Sequence, residues 1–192
     1  MRSHFFLAAA VAALALPASA SAAMAQGAGD PALAAFQSVC WKAAGDYVAT
    51  VNAADADGWK ETEVVAQPDD SVSITDKAAR EKVTPAGDFK LLVTRGLRHM
   101  SNGADIKVST CKLTSDKPDA GLIEAGEGWV GAQPVPGGDK TLATYFVKLG
   151  SGKPDSIPTS GVQSAMNAGG FGVLKFQQDP DAGIVVYEAY SK

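Results

Sequence analysis

Residues 89–111, FKLLVTRGLRHMSNGADIKVSTC, hold two alternating runs separated by an Asn-Gly pair. In the first, Phe89, Leu91, Val93 and Leu97 alternate with polar or small residues, apart from Leu92. In the second, Ile106, Val108 and Thr110 alternate with Lys107, Ser109 and Cys111. A period of two sends successive side chains to opposite faces of a strand. Asn102-Gly103 supplies the left-handed backbone that a two-residue hairpin turn demands. The stretch predicts an antiparallel hairpin, and the remaining elements must fit the sheet it begins.

Downstream, Leu122, Ile123 and Gly128-Trp129 predict a short helix, and residues 134–138 a loop. Residues 141–149 predict a strand with Ala143, Tyr145, Val147 and Leu149 on one face. A small helix over 159–167 should end at Gly169-Gly170. Strands at 173–177 and 184–190 follow, joined through Asp179-Pro180-Asp181-Ala182-Gly183 by a type I turn plus bulge.

Upstream the pattern is helical. Asp30-Pro31 places an N-cap before a proline at the first helical position, and Leu33, Phe36 and Cys40 then share a face. Gly45 should end that helix and Asp46 cap a second one, which runs to about Asp57. Residues 60–66 alternate weakly, as a first strand would. The polar span 67–87 carries turn signals at Pro68 and Pro85, with room for a short helix over 76–83. The fold class is α+β: two N-terminal helices, then an antiparallel sheet of five to six strands with one or two short helices.

Residues 52–63, NAADADGWKETE, imitate a calcium loop. With Gly58 at the sixth position of such a loop, Ala53 would be first and Val64 twelfth, and neither carries an oxygen ligand where one is essential. The better reading is a helix end, with Gly58 left-handed after the C-cap and Trp59 packing back on Val51 and Ala54. No metal site is expected.

The first residues, MRSHFFLAAAVAALALPASASAAMAQ, have a basic start, a short apolar run, Pro17 and small residues at A-x-A spacing, the layout of a secretory signal peptide. Cleavage could follow Ala20, Ala22 or Ala25, with Ala25 favoured. The expected organisation is residues 1–25 as signal peptide and 26–192 as one α+β domain, periplasmic or secreted. Losing Arg2 moves the formal charge from −4 to −5. An acidic exported chain without runs of Lys or Arg is a poor match for nucleic acid, and no segment after the signal is long and apolar enough to span a membrane. In an oxidising compartment, Cys40 and Cys111 should form a disulfide. Each cysteine is followed by a Gly-Trp pair at nearly equal separation (Gly58-Trp59, Gly128-Trp129), which raises the possibility of a duplicated unit.

Little of the chain looks like chemistry. After signal removal His99 is the one histidine, which excludes a multi-histidine zinc site. No G-x-S-x-G elbow is present, and Ser109-Thr110-Cys111-Lys112 matches S-x-x-K inside a strand, where a nucleophile of that motif would open a helix. Ala168-Gly169-Gly170-Phe171-Gly172 follows a helix and precedes a strand, the reverse of a phosphate loop. No cofactor is implied. Arg95, Arg98 and His99 gather at the predicted hairpin end, as a ligand or anion surface or as a solvated edge.

The signal peptide, Phe36-x-x-x-Cys40, Gly45-Asp46, an alanine-rich helix, Gly58-Trp59 and a distant second cysteine resemble small exported bacterial proteins of uncharacterised function. The resemblance implies an exported location and no catalytic residue. The expected role is a non-enzymatic binding or accessory protein of the bacterial envelope, with an envelope protein as its partner. The alternative is a small periplasmic hydrolase using His99 with a nearby serine or carboxylate.

Overall fold

The computed structural model describes residues 29–65, 72–100, 103–117, 121–136 and 140–192; the stretch expected to be a signal peptide and the turn expected at Pro68 lie outside the described residues. Seven strands form one antiparallel sheet in the order β1-β2-β3-β4-β7-β6-β5. They are β1 (Lys60–Glu61), β2 (Val72–Thr84), β3 (Gly87–His99), β4 (Asp105–Ser115), β5 (Leu142–Val147), β6 (Gly170–Asp179) and β7 (Ala182–Ser191). Helices α1 (Pro31–Phe36, continued by a π-helical turn over Gln37–Trp41), α2 (Tyr47–Ala56) and α3 (Leu122–Val130) cover one face, here the front. Helix α4 (Val162–Ala168) sits on part of the back.

Strand register shows how the sequence builds this core. One front row runs Val93, Cys111, Tyr187, Leu174, Tyr145 across β3, β4, β7, β6 and β5, and the next runs Leu91, Leu113, Val185, Phe176, Ala143. All ten side chains are buried. The disulfide between Cys40 and Cys111, with Cα atoms 5.7 Å apart, ties the helical layer to β4, the middle strand of the sheet. Trp41 and Trp129 pack edge to face at 5.1 Å, and both belong to this core, as does Trp59.

The helix ends follow the sequence closely. Asp30 Oδ1 accepts from the Leu33 N–H at 2.9 Å, and Asp46 Oδ1 from the Ala49 N–H at 2.7 Å. The calcium-like stretch is a helix stop. Gly58 has φ +77°, its N–H donates to Asp55 O, and the Trp59 N–H donates to Ala54 O, the paired bonds of a Schellman cap. Asp55 and Asp57 look unfavourable at the negative end of a helix. The sheet resolves this, because front-facing Arg80 and Lys82 of β2 reach them at 2.7 and 2.9 Å. Hydrogen bonds from these cations hold both carboxyls below the usual aspartate range. Lys82 also donates to the Asp57 carbonyl at 2.8 Å, so the helix terminus meets a cation.

Several expectations are corrected. Residues 76–83 are strand, not a short helix: from Asp76 to Thr84 they pair with β3 without a break, and this ladder outweighs local helix propensity. That strand raises the count to seven. The first strand is Lys60–Glu61 alone, and Leu149 falls beyond β5. The β3–β4 loop is not a two-residue turn: the Met100 N–H donates to Ala104 O and the Gly103 N–H to Met100 O, which encloses three residues with Gly103 left-handed at φ +79°. Ser101 and Asn102 lie outside the described residues. Between β6 and β7, Asp179 pairs directly with Ala182 and the ladder runs on through Gly183, so the turn has no bulge. The Cys/Gly-Trp echo is not a structural repeat. Cys40 lies in a helical turn and Cys111 in a strand, and Gly58 is a cap whereas Gly128 is inside α3.

Burial pushes the phenols of Tyr187 and Tyr145 up to about 12. Below pH 10 both are neutral, folded or unfolded. Above it, unfolded tyrosines ionise near 10 while the folded ones still hold their protons. Stability should therefore fall as pH rises from about 10 to 12. Tyrosinate absorbance at these two rings should appear together with loss of circular dichroism, not before it.

Candidate functional site

Strand alternation decides where Arg95, Arg98 and His99 go. Arg95 shares the front face with Val93, Leu97 and His99, and Arg98 turns to the back. The hairpin end therefore presents Arg95 and His99 to one face of the sheet and Arg98 to the other.

On the back, the row Val108, Tyr190, Phe171 and its neighbours Ile106, Val173 and Phe146 form a second apolar cluster. Phe171 stacks on Tyr190 at 5.1 Å between ring centres and meets Phe146 edge to face at 5.8 Å. Helix α4 lays Met166 against this cluster, and Val162 and Gln163 complete its side of a cleft of about 720 Å³. The size is that of a small-molecule site, and the lining is mostly apolar with few polar groups.

Arg98 and Lys192 stand at the cleft with Asp105. The Arg98 guanidinium lies 5.3 Å from the Tyr190 ring centre and donates to the Tyr190 hydroxyl at 2.9 Å. That hydroxyl donates to Glu188 Oε2, and Lys175 pairs with Glu188 Oε1 at 2.8 Å. The chain of polar partners fixes Arg98 across the apolar floor. Lys192 donates to the Asn167 carbonyl near the C-terminal end of α4. Asp105 is engaged by His99, whose Nδ1 lies 2.5 Å from Oδ1. Among the described lining side chains the charged groups are Arg98, Lys192 and Asp105.

The front-face cleft is about 540 Å³ and lies between the loop before α2 and the sheet. Arg95 and Lys107 enter it beside Leu97, Tyr47 and Ser109. Arg95 is held by Asp76 at 2.5 Å and lies 5.2 Å from the Tyr47 ring centre. The hydrogen bond from Arg95 keeps the Asp76 carboxyl below its usual range.

Sequence reading singled out Arg98 without its surroundings. Phe146, Met166 and Phe171 come from three separate elements, and only sheet order brings them together. Alternation in β6 did carry a signal, because Phe171 and Val173 sit opposite buried Leu174 and Phe176 in phase. Among the described residues no three His, Cys, Asp or Glu gather as metal ligands would, and no helix is long and apolar enough to cross a membrane. No protein-family model, curated protein or solved structure matches this chain.

Proposed function

We propose that this is an exported binding protein that holds a small amphipathic anion in the back-face cleft. The observation that carries the reading is the pairing of an apolar floor with a fixed arginine. Ile106, Phe146, Phe171 and Val173 offer surface to an alkyl or ring body, and Arg98 stands beside them with Lys192. A cation already oriented by Tyr190 meets a carboxylate or phosphate with little further ordering cost. The disulfide suits an oxidising compartment, and the sequence start suits export to it. An envelope protein could receive or deliver the ligand at the exposed mouth, where Met100 is 41% exposed.

Thermal unfolding of the oxidised protein tests this with decanoate and dodecanoate, against dodecanol and neutral sugars. At about 100 times its dissociation constant a ligand stabilises by roughly 2.7 kcal/mol, a clear rise in Tm. The carboxylates should raise Tm more than the alcohol, and Met166→Asp should abolish the rise by placing a negative charge in the cleft. An equal response to sugars, or one unchanged in Met166→Asp, contradicts the reading.

A further inference from the structure

We propose that Ser73, His99 and Asp105 form a serine hydrolase site, an activity distinct from ligand binding on the back face, whose cleft Asp105 also borders. Ser73 Oγ lies 3.2 Å from His99 Nε2, and His99 Nδ1 lies 2.5 Å from Asp105 Oδ1. An ionised carboxylate only accepts hydrogen bonds, so Nδ1 carries the proton. In the neutral imidazole, Nε2 is then left to accept from the serine hydroxyl. Both distances fall within the reach that nucleophile activation requires. His99 faces Asp105 directly across the end of the β3–β4 hairpin, so the base and its orienting carboxylate come from one short loop closure.

The serine arrives by a different device. Between Ile74 and Asp76 the β2–β3 register shifts, leaving Thr75 as an extra residue whose hydroxyl donates to the Arg95 carbonyl at 3.1 Å. A bulge of this kind turns every residue beyond it to the other face. Below the bulge Ser73 pairs with Leu97 and so joins His99 on the front; in the unbroken register it would pair with Arg98 and face the back. Gly96 makes room for the bulge: a Cβ there would sit 2.3 Å from the Ser73 carbonyl oxygen. The chain thus spends a bulge and a glycine at the one position that aims Ser73 at the imidazole. Leu97, the partner of Ser73, also lines the front-face cleft with Arg95 and Lys107, which gives an ester carrying an acidic or polar acyl group a place to lie.

The reaction balances without any further reagent. Ser73 Oγ bonds to the ester carbonyl carbon as its proton moves to His99 Nε2, and Asp105 stabilises the imidazolium. The tetrahedral adduct expels the alcohol, which takes the proton from His99. Water then attacks the acyl-serine, His99 accepts its proton, and the carboxylic acid leaves as the proton returns to Ser73. His99 is 62% exposed in its side chain, so the site is open and the substrate itself must exclude water.

The test is labelling of the oxidised protein with a fluorophosphonate, read by mass spectrometry of the peptide containing Ser73, alongside hydrolysis of p-nitrophenyl acetate. Labelling should fall on Ser73 and disappear in Ser73→Ala. In His99→Gln and Asp105→Asn its rate should drop by about 100-fold or more with circular dichroism unchanged, the usual scale of general-base assistance. Absence of label on Ser73, or a labelling rate unaffected by His99→Gln, overturns the proposal.

Discussion

Phe176→Ala should lower the free energy of unfolding by about 3–5 kcal/mol, the usual cost of emptying a buried aromatic site. Phe176 of β6 is fully buried in the front core, edge to face with Tyr145 at 5.9 Å and with Trp129 at 6.3 Å. It is also the residue on which α3 rests. A Cβ added at Gly126 would lie 2.7 Å from the Phe176 ring, so the helix approaches the sheet only because that position has no side chain. Gly126→Ala alone should therefore destabilise as well, by roughly 1–3 kcal/mol from overpacking. The two changes should not add, because the methyl of one enters space vacated by the other. Urea unfolding of both single variants and the double variant measures this coupling. A double variant as unstable as the sum would show that α3 does not depend on this contact.

Loss of the disulfide should cost about as much. Cys40 and Cys111 are 71 residues apart, and the chain-entropy relation for a loop of that size gives about 4 kcal/mol at room temperature. Both cysteines are buried in the main core, so Cys40→Ala with Cys111→Ala removes a tether while leaving small apolar groups in its place. The effect should appear as a lower denaturant midpoint for the variant and for the reduced wild-type protein alike. A change below about 1 kcal/mol would mean that Phe36, Trp41 and their neighbours already hold the helical layer without the bridge, and that the unfolded chain is little constrained by it. Domains of this size are stable by only about 5–15 kcal/mol, so either change removes a large share.

Local chemistry made much of the fold legible in the sequence. Asp30-Pro31, Asp46 and Gly58 carry their meaning within four residues, and each does in the structure what it promises in the chain. The alternation of residues 89–111 likewise fixed both strands of the central hairpin, and the pairing of Cys40 with Cys111 was expected from the even cysteine count and an expected oxidising compartment. What escaped was set at long range. The strand over residues 76–83 has almost no apolar alternation, because its front positions hold Arg80 and Lys82, which serve Asp55 of α2 and Asp57 at its C-cap. Its identity as strand comes from the ladder to β3 rather than from its own residues. The separation of Arg98 from Arg95 and His99 was available from parity along β3, yet its consequence needed α4 on the back. Ser73 was beyond reach of periodicity altogether, since a bulge inverts its phase.

Titration of the oxidised protein with dodecanoate, followed in amide nitrogen–proton NMR spectra, tests the central claim most directly. The account predicts saturable shifts at Arg98, Ile106, Met166, Phe171 and Tyr190, with residues of the front core unchanged. Shifts spread over the front face, or none at concentrations where the thermal transition moves, would contradict binding in the back-face cleft.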